Sequence, residues 1–232
     1  MCGRYVSPGA AAIEREFGLS GRDWRFDASF NVAPTQRVPA IMHGSSAPEA
    51  VLLRWGLVPF FARGKAGPYS TINARIESFQ TSASYRAAWK RGQRCLIPAL
   101  GFYEWHVLED GSKQPYFIHL NDQAIFAFAG LWDRSVGDDG ASVESCTIIT
   151  LPANPLMASI HNGRARMPAI LTVAGRAAWL SGSAEAALSE LRTYPEELMV
   201  GYPVGKAVNT PRNNSPGLIE PLQEPHALQA NP

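Results

Sequence analysis

The chain has 232 residues, of which 46% are hydrophobic and 18% charged, with a formal net charge of +1. Such a composition excludes a largely disordered chain, and the small net charge excludes a broadly basic nucleic-acid binder, so any surface that meets phosphate has to be a local cluster of arginines. No apolar run approaches the ~20 residues that cross a bilayer, and no basic-then-apolar leader opens the chain, so no membrane association and a cytoplasmic location are expected.

Length allows one large domain or two small ones, and one is expected, over residues 1–222, with a loose tail at 223–232. The three cysteines, at positions 2, 95 and 146, form neither a disulfide framework nor a zinc-ribbon spacing. The five histidines lack metal-ligand spacing. No metal or other cofactor is expected, and the chain is expected to act as a monomer.

The chain opens Met1, Cys2, Gly3, Arg4. Removal of Met1 would leave Cys2 with a free α-amine and a thiol on adjacent carbons, two nucleophiles able to close a five-membered ring on one aldehyde carbon. Both titrate near neutrality, at about 7.7–8.0 and about 8.5, so modest local charge would activate either. Gly3 keeps the backbone uncluttered, and Arg4 sets a permanent planar cation nearby, which suits an anionic substrate. Taken alone, a cysteine at position 2 is equally compatible with chance.

Ser7 and Pro8 predict a helix start, with Ile13 and Phe17 on its apolar face and Gly18 as its end. From Asn31 onward, apolar runs alternate with turn residues. Val38 to Met42, Val51 to Trp55, Cys95 to Leu100, Tyr116 to Leu120, Ile125 to Leu131 and Thr147 to Leu151 predict strands. Helical patches are predicted over Ser84 to Arg91, Thr172 to Leu180 and Ser183 to Tyr194. No βαβ rhythm is present. The predicted class is α+β, a single domain with a mainly antiparallel, curled, barrel-like sheet and flanking helices.

Four further stretches carry chemistry. If the segment from Ile72 to Glu77 is extended, Asn73, Arg75 and Glu77 share one face, although an ordinary solvated strand face has the same pattern. In Gly101-Phe-Tyr-Glu-Trp105 the carboxylate of Glu104 is hemmed in by aromatics; burial there would raise its pKa and suit it to proton transfer, whereas an edge strand would leave it exposed. His161 stands beside Asn162-Gly163 and two arginines, Arg164 and Arg166, as in a loop that touches phosphate. The aromatics of Arg54 to Phe61 would stack on bases or simply pack a core. Cys95 and Cys146 lie in apolar strands and read as inert core.

Together these stretches resemble the SOS-response-associated peptidase family of abasic-site processing proteins. The resemblance runs from Met1 to about Pro221. It rests on Met-Cys-Gly-Arg, Asn31-Val-Ala-Pro34, Trp55-Gly-Leu-Val-Pro59, Asn73-Ala-Arg75, Arg94-Cys-Leu-Ile-Pro98, Gly101-Phe-Tyr-Glu-Trp105, Ile160-His161 with Arg166-Met-Pro168, and Val208-Asn209. In that family the N-terminal cysteine bonds covalently to the ring-opened sugar of an abasic site in single-stranded DNA.

The resemblance implies that the amine of Cys2 forms a Schiff base that its own thiol traps as a thiazolidine, giving a DNA–protein crosslink, with peptidase or lyase activity besides. It implies that Asn73 orients the adduct, that Glu104 passes protons near the amine, and that His161 helps to open the sugar ring. DNA contacts are implied for Arg4, Asn31, Pro34, Phe61, Arg75, Arg164 and Arg166. Phe61 stands where family members often carry tryptophan. Asn162 to Ala165 lengthen the loop after His161, so Arg164 and Arg166 compete for phosphate. The alternatives are a glutamine amidotransferase or other hydrolase with an N-terminal cysteine, and a module that binds single-stranded DNA without covalent chemistry.

Overall fold

The structure is a computed structural model that describes residues 2–19, 24–44, 47–67 and 70–222. Among these, thirteen strands and five short α-helices form. In chain order the strands are β1 (Tyr5–Ser7), β2 (Ser29–Val32), β3 (Arg37–His43), β4 (Pro48–Trp55), β5 (Asn73–Arg75), β6 (Arg94–Ala99), β7 (Gly101–Val107), β8 (Lys113–Leu120), β9 (Phe126–Val136), β10 (Ser142–Pro152), β11 (Arg166–Pro168), β12 (Ile170–Leu171) and β13 (Met199–Pro203). The helices are α1 (Ala10–Phe17), α2 (Arg86–Lys90), α3 (Pro155–Ile160), α4 (Gly175–Ser181) and α5 (Ala184–Ser189). All six predicted strands are present.

The larger sheet closes on itself because β10 pairs on one side with β9 and on the other with β4. With β4–β3, β3–β6 and β6–β9 also paired, β10-β4-β3-β6-β9 form a five-stranded barrel. Its pairings are antiparallel except β10–β4, and β5 also lies parallel along β10. A second sheet, ordered β13-β8-β7-β1-β2, is antiparallel throughout. The class is therefore α+β with a curled, mainly antiparallel sheet, as the sequence predicts.

Both internal cysteines are fully buried within the main core, with Tyr5 set edge-on between Trp55 (5.3 Å) and Phe128 (5.8 Å). Gly130 is required where the barrel strands converge: a Cβ there would sit 2.8 Å from Cys95 Sγ and 3.0 Å from the Thr147 carbonyl oxygen. A smaller apolar cluster of Val6, Tyr103, Phe117, Val204, Val208 and Leu218 fixes the C-terminal segment to the second sheet.

Local expectations needed correction. Ser7 does not cap α1; it lies in β1 paired with Ser29, its hydroxyl donates to the Pro8 carbonyl, and Gly9 is the N-cap. The helix does end at Gly18, in the left-handed conformation. Of the four predicted helices, the second, over Ser84 to Arg91, forms only at Arg86–Lys90. In the third, Thr172 accepts from the Gly175 amide and α4 begins at Gly175. Ser183 caps the last patch, but α5 stops at Ser189, well short of Tyr194. The extended run from Asn73 ends at Arg75, so Glu77 lies in the following turn and not on the same strand. The predicted tail at 223–232 lies outside the described residues. No described helix is long and apolar enough to cross a membrane.

Candidate active site

The N-terminal arm enters the sheet through β1, which pairs with β2 and β7, and this brings Cys2 against the barrel rim. Cys2 is fully buried. Its carbonyl oxygen accepts from the Asn73 side-chain amide at 2.8 Å. Asn73 is set by the parallel pairing of β5 with β10, and its own carbonyl accepts from the Tyr85 hydroxyl at 3.0 Å. The amide that touches the Cys2 backbone is thus held from two directions. Burial pushes the Cys2 thiol far up from the ordinary thiol range, and the Glu104 carboxylate adds to the shift.

Glu104 lies on β7, opposite Tyr116 of β8, with only 2% of its surface exposed. Desolvation raises its carboxyl to about 7, so of the two settings open from the sequence the buried one is found and the exposed edge strand is not. His161 directly follows α3. Asn154 starts that helix by accepting from the Met157 amide at 2.8 Å, with Pro155 in the first turn. His161 Nδ1 lies 3.0 Å from the Arg166 carbonyl oxygen. A carbonyl only accepts, so Nδ1 carries the proton of the neutral ring and Nε2 presents its lone pair. That Nε2 lies 3.7 Å from Glu104 Oε2. Burial lowers the His161 pKa, so near neutrality the pair is an uncharged imidazole beside a half-protonated carboxyl.

Gly3, Asn73, Glu104 and His161 line one cavity of about 540 Å³, with Arg4, Lys113 and Arg164 contributing positive charge to its wall. Lys113 and Trp105 were not singled out as site residues by the sequence. Lys113 reaches the cavity because the β7–β8 register sets it opposite Val107, and only that register could have revealed it. Trp105 is fixed by donating from its indole to Asn209 Oδ1 at 2.8 Å.

The arginines divide into two groups. Arg4 Nη1 is committed to Asn31 Oδ1 (2.8 Å) and the Val208 carbonyl (2.7 Å). Arg166 forms a bidentate ion pair with Glu77 and also donates to the carbonyl and hydroxyl oxygens of Thr150. Arg166 and, less strongly, Arg75 hold the Glu77 carboxyl below its usual range. By contrast, Arg75 at the end of β5 and Arg164 on the cavity wall are exposed. Asn31 is buried, and its amide donates to the carbonyls of Val208, Thr210 and Asn213, so it faces the C-terminal segment and not solvent. Pro34 is half-buried. Phe61 is 54% exposed and edge-on to Phe60 at 5.5 Å, an outward ridge that is not part of the core.

Among the described residues, no group of three His, Cys, Asp or Glu side chains is placed to hold a metal ion; His226 lies outside them. The donors that converge here are an amide, a carboxyl, an imidazole and cations, a set suited to proton transfer on an anionic substrate.

The family described as SOS response associated peptidase (SRAP) matches residues 1–211. The chain is 39% identical over 227 residues to the abasic site processing protein YoqW of Bacillus subtilis, covering 95% of this chain and 99% of that one. It is 29% identical over 264 residues to the abasic site processing protein HMCES of Xenopus tropicalis, covering 93% and 77% respectively. A crystal structure of a protein from Bacteroides thetaiotaomicron superposes with a TM-score of 0.85 at 28% identity, over 96% of this chain and all of the other.

Proposed function

The chain belongs to the SOS response associated peptidase family, and we propose that it processes abasic sites in single-stranded DNA by forming a covalent crosslink through Cys2. The observation that carries this reading is the convergence of Asn73, Glu104 and His161, from three distant stretches, on one cavity with a cationic wall, with Cys2 buried directly behind it and bonded through its carbonyl to Asn73.

In the chain as given, the Cys2 nitrogen belongs to the Met1–Cys2 peptide bond. Hydrolysis of that bond frees the α-amine, and this step is the peptidase component of the proposal. The ring-opened sugar of an abasic site presents an aldehyde. The amine adds to its carbon, and loss of water leaves an imine. The Sγ–H of Cys2 then adds across the imine: sulfur bonds to carbon, and the proton reaches nitrogen. Aldehyde and aminothiol thus give a thiazolidine and one water. The buried thiol is protonated at rest, which makes the amine the first nucleophile and the thiol the trap.

Glu104, balanced near neutrality, relays the protons that these steps require. His161 Nε2 supplies a lone pair beside it, suited to helping the sugar open. Asn73 holds the Cys2 carbonyl and so the direction from which its nitrogen attacks. At the imine stage, loss of the sugar's 2′ proton and cleavage of the 3′ carbon–oxygen bond would break the strand, which is the lyase component. Arg164, Arg75 and the Phe61 ridge are the groups available to phosphate and bases.

The test is incubation of the processed protein with single-stranded DNA carrying one abasic site, followed by a denaturing gel. A heat-stable, slowly migrating species is expected. Its absence overturns the covalent reading; equal, salt-reversible binding of intact and abasic strands would instead mark a non-covalent module. Glutamine hydrolysis would assign the amidotransferase alternative.

A further inference from the structure

A second cleft, of about 370 Å³, lies across Gly56 from the reactive cavity, and Thr35, Arg37, Arg54 and Glu144 are among the residues that line it. Arg37 and Arg54 are directly opposite one another in the β3–β4 ladder. Cross-strand partners leave the same face of a sheet, where like charges repel unless an anion lies between them. Among the described residues neither guanidinium takes part in an ion pair. Each is instead oriented by one backbone carbonyl, Arg37 by Leu52 at 3.1 Å and Arg54 by Gly56 at 2.6 Å. A guanidinium has five donors, so each fork keeps N–H groups for a further acceptor. One carboxylate, Glu144, also lines the cleft, so the two guanidinium groups leave it with a surplus of positive charge.

Thr35 adds a second observation. It is a β-branched residue held at φ 74°, in the left-handed region that such side chains rarely adopt. Its amide donates to the Trp55 carbonyl at 2.8 Å, so the neighbouring strand holds it there. Backbone strain that the surroundings maintain tends to collect at ligand clamps. Here it keeps the residue after Pro34 at the edge of the cleft.

The two clefts come close on either side of Gly56. A Cβ on that residue would lie 2.9 Å from Arg54 Nη1 and 3.5 Å from Ile72 Cγ2, and Ile72 lines the reactive cavity. Gly56 itself is buried, with φ 118°, and its backbone fits between the Arg54 guanidinium and Ile72 because it has no side chain.

We propose that the Thr35, Arg37 and Arg54 cleft is a phosphodiester subsite for the part of the strand that lies outside the reactive cavity. The two guanidinium groups hold one backbone phosphate of a neighbouring nucleotide, and the Thr35 hydroxyl donates to the same group. The subsite extends the footprint beyond the lesion and gives the protein grip on undamaged backbone. This inference rests on the single-strand reading above.

The test measures salt-dependent binding of strands carrying an unreactive reduced abasic site. One strand has about 15 nucleotides, and the other is trimmed to a single nucleotide on each side of the lesion. Arg37→Ala and Arg54→Ala should each flatten the log–log salt slope by about 0.7 on the long strand and leave the trimmed strand unaffected, with Arg37→Lys keeping the slope. Strands extended on only one side should show the effect in one direction. Arg37 is exposed, so its variants decide the matter even if Arg54→Ala, which also loses the Gly56 contact, fails to fold. An unchanged slope for Arg37→Ala on the long strand overturns the subsite, and so does binding of inorganic phosphate that Arg37→Ala weakens with no dependence on strand length. If the wild-type protein crosslinks a reactive abasic strand in either case, the failure belongs to the subsite alone. If it neither binds nor crosslinks abasic strands, the underlying reading fails with it.

Discussion

Glu104 Oε2 and His161 Nε2 stand 3.7 Å apart, one carried by β7 and the other by the end of α3. Desolvation raises the carboxyl to about 7 and lowers the imidazole, so near neutrality a half-protonated carboxyl faces an uncharged ring. A proton can pass to or from either group at little cost, which is what imine formation and thiol addition need.

Glu104→Gln is therefore expected to slow adduct formation about 10²–10⁴-fold. With Glu104 accepting the thiol proton, the wild-type rate should rise with pH through about 7, and the variant should lose that inflection. Single-turnover gels across pH measure both. A rate within about twofold of wild type would remove Glu104 from the proton path.

The same raised pKa predicts a signature in stability. An unfolded carboxyl ionises near 4.5, whereas the folded one holds its proton to about 7. Between these values the folded state binds more protons, so its stability falls as pH rises through this window and is flat in this term above it. Glu104→Gln removes the term. Its melting temperature relative to wild type should rise between about pH 5 and about pH 8, by the equivalent of about 2–3 kcal/mol. A constant difference would mean that the carboxyl is not desolvated.

Arg164 and Arg166 are separated by what each already holds. Arg166 is committed to Glu77 and Thr150, while Arg164 is exposed on the cavity wall. Arg164→Ala is expected to flatten the salt slope of single-strand binding by about 0.7 with little change in melting temperature. Arg166→Ala should lower the melting temperature first, since it removes the ion pair to Glu77 and the donor to the buried Thr150 hydroxyl, the Thr150 carbonyl keeping the Ile76 amide. The reverse assignment, with the salt slope following Arg166 alone, would mean that DNA displaces Glu77.

The sequence made the strands legible because their β-branched and aromatic runs are bounded by turn residues, and it made the Glu104 environment legible because its aromatic neighbours adjoin it in sequence. Barrel closure was not legible, since it depends on β10 meeting both β9 and β4, and no local pattern encodes a parallel pairing between distant strands. Ser7-Pro8 carried a valid helix-start signal that ladder pairing with β2 overrode. Asn154-Pro155 carries the same signal, and there, with no strand partner to compete, it does start a helix. Asn31, for which the resemblance implies a DNA contact, instead has three carbonyls set around its amide by the fold, and no local pattern encodes that.

That arrangement at Asn31 makes it a clasp between β2 and the segment that supplies Val208 to Asn213. Asn31→Ala removes three donated bonds and the Oδ1 that accepts from Arg4. At about 1 kcal/mol net per bond, a loss of about 2–3 kcal/mol is expected. For a domain of this size that corresponds to a fall in melting temperature of about 5–10 °C. Asn31→Asp keeps the acceptor for Arg4 but turns an oxygen toward the three carbonyls that the amide served, so it should fall at least as far as Asn31→Ala. An unchanged melting temperature in both variants would show that the segment is held by its apolar cluster alone.

The last prediction concerns the two nucleophiles of one residue. If the amine of Cys2 forms the imine and its own thiol traps it, the amine must be free, and retained Met1 or an N-terminal tag keeps that nitrogen in an amide, which is not nucleophilic. Such a block leaves the thiol, Glu104, His161 and the cationic wall in place, so strand binding should persist while the heat-stable adduct disappears. Cys2→Ser keeps a free amine once Met1 is removed, but a hydroxyl is a far poorer trap than sulfur, so at most a labile imine should form, captured only by a reducing agent. The thiol's raised pKa sharpens the contrast, because the thiol reacts only after the imine is present and a neighbouring group takes its proton. The measurement is the yield of heat-stable adduct on an abasic single strand for processed, N-terminally blocked and Cys2→Ser proteins. Equal yield from a verified blocked protein would eliminate the thiazolidine route and leave Cys2 an ordinary thiol nucleophile or a bystander.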